Sequence, residues 1–183
     1  MVLFIVENYR KIYPDLEGKP LTDRLVEELL SRNLPDRSKV KIQIQRTESG
    51  KPYVVWNRDQ QAPCISVSHC DGVFACAFDD ENVGIDIQNE REVAADRIKG
   101  RYFTEAEQSE DFYKIWTRKE AYSKYTGRGL TQIIEGAEVL NLRDVTFDDF
   151  MILDRIHVSV CRPASKDRGE NYEIQFFDRK QDR

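Results

Sequence analysis

The sequence is poor in several features that would have set its function at once. Among its 183 residues are four cysteines and only two histidines, and Cys64, Cys70, Cys76 and Cys161 follow no metal-ligand spacing. With His69 and His157 alone, a zinc site would need carboxylates to complete it, which is not zinc's usual donor set. No Gly-x-Ser-x-Gly elbow surrounds a serine, and His69 has no partner order that makes a hydrolase triad. Positive charge is not in excess: 28 Lys and Arg face 33 Asp and Glu, for a formal charge of −5. That balance argues against sequence-independent binding of nucleic acid, although a local basic patch would survive it. No apolar run approaches the roughly 20 residues that span a bilayer. The apolar opening at residues 1–6 is short, with no basic flank or cleavage site of a secretion signal. Low-complexity linkers and short repeats are also absent. What remains is a globular composition, 40% hydrophobic and 33% charged, and a cytoplasmic protein is expected. In that reducing setting the cysteines serve as small apolar fillers. The six-residue spacing of Cys64, Cys70 and Cys76 would put them on one face of an extended chain.

Hydrophobic periodicity then supplies the elements. Residues 2–6 form a short apolar strand. Thr22 is placed to cap a helix whose apolar positions are Leu25, Val26, Leu29 and Leu30, ending before Pro35. Val40, Ile42 and Ile44 alternate with polar residues as a half-buried strand. Gly50-Lys51-Pro52 turns the chain into a strand at 53–56, and strands at 64–68, 73–78 and 83–88 follow, separated by hairpin-turn chemistry. Thr104 with Glu107 has the form of a capping box opening a helix. A longer helix is predicted over residues 111–126, with Gly127 ending it. Strands return at 151–161 and 172–177, before a polar tail at 178–183. The expected class is α+β, not alternating βαβ units.

Three clusters carry possible chemistry. In Val83-Gly84-Ile85-Asp86-Ile87-Gln88, a strand that buries Val83, Ile85 and Ile87 turns Asp86 and Gln88 together to the other face. A carboxylate in so apolar a segment needs a cation, a metal or several donors. In Trp116-Thr117-Arg118-Lys119-Glu120-Ala121-Tyr122-Ser123-Lys124, helical spacing puts Trp116, Glu120 and Lys124 on one face. Two carboxylates from two elements with a cation beside them are the protein share of a Mg²⁺–phosphate site. Ser68-His69, at a strand end, offers a hydroxyl, an N–H and an imidazole to an anion.

In this order, Ser68-His69, Gly84-Ile85-Asp86 and Trp116…Lys119-Glu120-Ala121…Lys124 resemble the 4′-phosphopantetheinyl transferase superfamily, in its larger single-chain, surfactin-synthetase-activating branch. Gly50-Lys51-Pro52 and Arg101-Tyr102-Phe103-Thr104…Glu107 fall where that branch has related segments, and the resemblance covers roughly residues 48–130. It implies a pseudo-dimer of two similar α/β halves, residues 1–82 and 83–183, with the active site in the cleft between them. It further implies transfer of the phosphopantetheine arm of coenzyme A to a serine of an acyl or peptidyl carrier protein, with release of 3′,5′-ADP. By motif, Asp86 and Glu120 would ligate Mg²⁺, and Lys124 would stabilise charge at the cleaved phosphate. Lys51, Ser68 and His69 would contact the nucleotide end, with Lys124 also on coenzyme A. Glu107 falls at an acidic position near the metal, so Glu120 or Glu107, directly or through water, is the candidate base for the carrier serine. One departure stands out: the branch commonly has a second acid two residues after the strand aspartate, and this chain has Gln88 there as the third candidate metal ligand.

Carrier proteins of this class are acidic, as is this chain. Docking is therefore expected on the local basic cluster Arg97, Lys99 and Arg101, with the enzyme acting as a monomer and no nucleic acid or membrane as partner. Two other functions fit parts of the pattern. One is a Mg²⁺-dependent nucleotide pyrophosphate hydrolase; the other is a catalytically weak protein that binds coenzyme A or the carrier.

Overall fold

The computed structural model describes residues 1–34, 40–164 and 173–177. The stop at Pro35, the strand start at Tyr172 and the tail at 178–183 lie outside the described residues. The element order is β1 (Val2–Glu7), α1 (Gly18–Arg32), β2 (Ile42–Arg46), β3 (Pro52–Trp56), β4 (Cys64–Cys70), β5 (Val73–Asp79) and β6 (Gly84–Asn89). It continues with α2 (Ala95–Tyr102), α3 (Phe112–Thr126), α4 (Leu130–Ile134), β7 (Val145–Ile152), β8 (Ile156–Pro163) and β9 (Glu173–Phe177). The class is α+β.

Three sheets result: four strands in the order β4-β5-β1-β9, three in the order β6-β8-β7, and the hairpin β2-β3. Strand alternation builds the layers. Phe4 and Val6 of β1, with Phe74, Cys76 and Phe78 of β5, pack with Leu21, Leu25 and Leu29 of α1. Their neighbours Leu3, Ile5, Val73, Ala75 and Ala77 face the other way, against Ile85 and Ile87 of β6 and Val158 and Val160 of β8. The four-stranded sheet is thus covered on both faces, which is why β5 is buried along its whole length. The far face of the three-stranded sheet carries α3, where Ala121 packs on Val145 and Cys161. Strand β9 runs parallel to β1, so the end of the chain completes the first sheet. Among the described residues no helix is long and apolar enough to cross a membrane.

Several local expectations change. Helix α1 starts at Gly18, and Thr22 lies inside it with its hydroxyl donating to the Lys19 carbonyl at 3.0 Å. The Thr104–Glu107 segment makes only one 3-10 turn. The true start of α3 is Asp111, whose carboxylate accepts from the Lys114 N–H. Strands β7 and β8 form a hairpin where one strand was expected at 151–161, turning through Leu153 and Asp154, both with positive φ. No glycine marks that turn, so the signal that usually betrays a tight hairpin was missing. Cys64 and Cys70 share β4 and the second core, whereas Cys76 is on β5 and enters the first.

Candidate active site

Asp86 is the centre of the site. It lies on β6, 3% exposed, in a strand whose other residues Ile85 and Ile87 are sealed in the core. A buried carboxylate needs several donors, and three converge on it. Ser68 Oγ donates to Oδ1 at 2.7 Å, Lys124 Nζ to the same oxygen at 2.8 Å, and Gln88 Nε2 to Oδ2 at 3.1 Å. The alternation read from the sequence thus does place Asp86 and Gln88 together, and the i, i+4 spacing does bring Lys124 to them.

A glycine sets how close α3 comes. A Cβ at Gly84, on the same face as Asp86, would lie 2.0 Å from the Ala121 carbonyl oxygen and 2.6 Å from the Tyr125 nitrogen. Helix and strand therefore touch backbone to backbone, which no residue with a side chain permits. This depth carries Lys124 and Glu120 to Asp86.

Glu120 is half-buried, and no hydrogen bond or ion pair engages its carboxylate among the described residues. Its pKa is raised, first by burial and then by the charge of Asp86, with Lys124 opposing. Two carboxylates close enough to feel each other's charge, with the one ammonium paired to Asp86, leave net negative charge, and an added cation would relieve it. The candidate donors are oxygens throughout, and among the described residues no group of three or more His, Cys, Asp and Glu is arranged to hold a metal ion by itself. This set suits Mg²⁺, which takes one or two carboxylates and completes its shell with water and substrate phosphate.

Ser68 stitches rather than projects. Its hydroxyl donates to Asp86 and accepts from the Ile87 N–H at 3.3 Å, and Ser66 accepts from the Ile85 N–H at 3.0 Å. Serine hydroxyls of β4 thus take the place of a backbone ladder along the free edge of β6. His69 is solvent-exposed as a residue, with its ring packed 5.8 Å from that of Tyr9. Partial burial first, then Lys124 and Arg10, lower its pKa.

Lys124 and Ser66 also line a cleft of about 220 Å³, with Arg46, Ser49, Lys51, Pro52, Val67 and Ser123 and with Gly50, Gly127 and Gly129. The Lys51 ammonium is engaged here by the Asn82 side chain at 2.7 Å and the Tyr125 carbonyl at 2.8 Å. Arg46, not singled out in the sequence, is held by Asp23 and by the Gly50 carbonyl. Ser123 was passed over too, although it directly precedes Lys124. Ser66 had a signal: it lies two residues before Ser68, hence on the same side of β4.

Glu107 belongs to another cluster. It is fully buried, paired with Lys119 at 2.8 Å, and accepts the Thr104 N–H at 2.8 Å and the Val139 N–H at 2.9 Å. Lys119 also donates to the Ala137 carbonyl and lies over the Phe103 ring. These bonds tie the 104–107 turn, α3 and the 137–139 segment together and leave Glu107 no exposed oxygen. Of the basic cluster, Lys99 donates to the carbonyls of Gln108 and Glu110 and thereby pins α2, Arg101 lies over Tyr102, and Arg97 is exposed.

The family model described as the 4′-phosphopantetheinyl transferase superfamily matches residues 82–176, and the chain belongs to that superfamily. Among similar proteins is 4′-phosphopantetheinyl transferase Sfp of Bacillus subtilis (strain 168), 29% identical over 147 residues, covering 73% of this chain and 63% of that protein. Another is 4′-phosphopantetheinyl transferase gsp of Aneurinibacillus migulanus, 29% identical over 134 residues, covering 67% and 52%. The chain therefore spans between about half and two thirds of the length of these relatives.

Proposed function

We propose that the protein transfers the 4′-phosphopantetheine arm of coenzyme A to a serine of an acyl or peptidyl carrier protein, releasing 3′,5′-ADP in a Mg²⁺-dependent reaction. The observation that carries the reading is Asp86, held by three donors, with the electrostatically coupled Glu120 left without one, and Lys124, which binds Asp86 and also lines a cleft that includes Arg46 and Lys51. Coenzyme A would lie in that cleft, between a nucleotide-side half, residues 1–82, and a catalytic half, residues 83–183. Strand β9 crosses that division, since it pairs with β1.

Asp86 and Glu120 would hold Mg²⁺, with Gln88 at its edge. Bound there, the ion would neutralise charge on the pyrophosphate and template the attack. The protein's own groups do the rest. Lys124 supplies a cation at the scissile phosphate. Glu120 takes the proton of the carrier serine, directly or through water. Ser68 holds Asp86 in its orientation, and His69 donates a ring N–H to the nucleotide end. Glu107, sealed beneath Lys119, is assigned to the scaffold and the base role to Glu120 alone. Gln88 adds an amide and no charge, so Mg²⁺ binding to the free protein is weak and strengthens when coenzyme A brings its phosphates. Arg97 and Arg101 offer the acidic carrier a surface, whereas Lys99 is already engaged. The protein acts as a cytoplasmic monomer.

The test incubates the protein with coenzyme A, Mg²⁺ and a panel of apo carrier proteins, and weighs the carriers. A serine-linked gain of one phosphopantetheine arm is expected, lost in Asp86→Ala and in Glu120→Ala. Coenzyme A breakdown with unmodified carriers would instead mark a hydrolase, and binding without chemistry a silent relative.

A further inference from the structure

The resemblance places Lys51 on the nucleotide, but the structure gives its ammonium other partners. It donates to Asn82 Oδ1 at 2.7 Å and to the Tyr125 carbonyl at 2.8 Å, and Asn82 Nδ2 donates to that same carbonyl at 2.6 Å. Tyr125 lies in the last turn of α3, where carbonyls have no intrahelical partner. That end of a helix carries partial negative charge, and an ammonium complements it. The stem of Lys51 packs there too, its Cδ 3.5 Å from where a Cβ of Gly127 would stand. Lys124, one residue before Tyr125, reaches Asp86 at 2.8 Å.

We propose that Lys51 and Asn82 form a latch on the C-terminal turn of α3, and that Lys51 is a positioning residue whose work is to hold Lys124 over Asp86. The latch joins segments 31 and 74 residues from Lys51 in the chain. An ammonium has three donors, and two are committed to protein acceptors in a half-buried position where burial already lowers its pKa. Such a group is anchored too firmly to follow a phosphate in and out of the cleft. The kinetic side of the inference rests on the transferase reading for the role of Lys124; the latch itself does not.

The experiment compares wild type, Lys51→Met, Asn82→Ala and the double variant in three measurements. These are steady-state transfer to an apo carrier, calorimetric affinity for 3′,5′-ADP, and amide hydrogen exchange at residues 123–129. The latch predicts a kcat lowered roughly 10- to 100-fold in Lys51→Met, the scale on which small misplacements act. It also predicts KM for coenzyme A within about twofold of wild type, as expected when ground-state binding is untouched. Affinity for 3′,5′-ADP should be unchanged, and exchange at the end of α3 faster. Asn82→Ala should act in the same direction, and the double variant no worse than the more damaged single, because partners in one network are not additive. A raised KM and weakened 3′,5′-ADP binding with kcat intact would overturn the proposal in favour of a nucleotide contact. If Lys51→Met does not fold, Asn82→Ala decides: normal kcat and normal exchange refute the latch. If wild type transfers nothing, the transferase reading fails, and the exchange rates alone judge the latch.

Discussion

Gly84→Ala is the smallest change that should disturb the whole site. The added methyl would sit 2.0 Å from the Ala121 carbonyl, 2.6 Å from the Tyr125 nitrogen and 2.9 Å from the Tyr125 Cβ. Two of these three atoms belong to the backbone of a helix whose neighbours are packed, so no rotamer relieves the clash. Restoring an ordinary contact of about 3.4 Å requires α3 to retreat by about 1.4 Å, with β6 held between β8 and the β4 edge. Overpacking of this kind costs about 1–3 kcal/mol, and a rigid obstacle belongs at the upper end. For a chain of this length the loss lowers Tm by about 2–12 °C. The same retreat stretches the 2.8 Å contact of Lys124 with Asp86 beyond hydrogen-bonding distance. Transfer should therefore fall by up to roughly 100-fold, beyond what lost stability alone produces at a temperature where the variant is folded. Calorimetry gives Tm, and carrier mass against time gives the rate. A variant that melts within about 1 °C of wild type and transfers normally would show that helix and strand do not meet through this glycine.

Three further outcomes are expected. Glu107→Gln should destabilise the protein by about 3–5 kcal/mol in urea unfolding, because it leaves the fully buried Lys119 charge uncompensated; a loss below about 1 kcal/mol would contradict the pairing. Glu120→Gln should stabilise the protein free of Mg²⁺ and coenzyme A at neutral pH. A carboxyl whose pKa is raised by folding favours the native state when protonated and loses that advantage as pH rises through its native pKa, so the gain over wild type should vanish below about pH 4. A variant less stable than wild type at pH 7 would refute this. Gln88→Glu should tighten Mg²⁺ binding to the free protein by roughly tenfold in calorimetric titration, since affinity follows ligand charge; unchanged binding would place residue 88 outside the coordination shell.

The parts of the site that were legible obey a local period. Alternation in 83–88 and helical spacing in 116–124 told which side chains share a face, and both held. Buried charge was less legible. Glu107 and Lys119 look like surface residues in the sequence and form a sealed pair in the fold, because the segments around them close over the pair only in three dimensions. The latch on Tyr125 was invisible for a related reason: its acceptor is a carbonyl, which every residue has. Helix α2 lacks a capping side chain and has no buried residue, so neither a cap nor an apolar stripe announced it.

The serines at the edge of β6 have a consequence for solubility. That strand is apolar, rich in isoleucine and buried from Gly84 to Ile87, the composition that makes a segment prone to cross-chain pairing. Its unladdered N–H groups at Ile85 and Ile87 would invite a foreign strand. Ser66 and Ser68 already occupy them with hydroxyl oxygens. A hydroxyl ends the hydrogen-bond chain where a peptide would extend it. Alanine at either position leaves a buried donor unmet, about 1–3 kcal/mol each, on the strand edge that β4 covers. The same pair of serines thus satisfies this edge and, through Ser68, holds the Asp86 carboxylate.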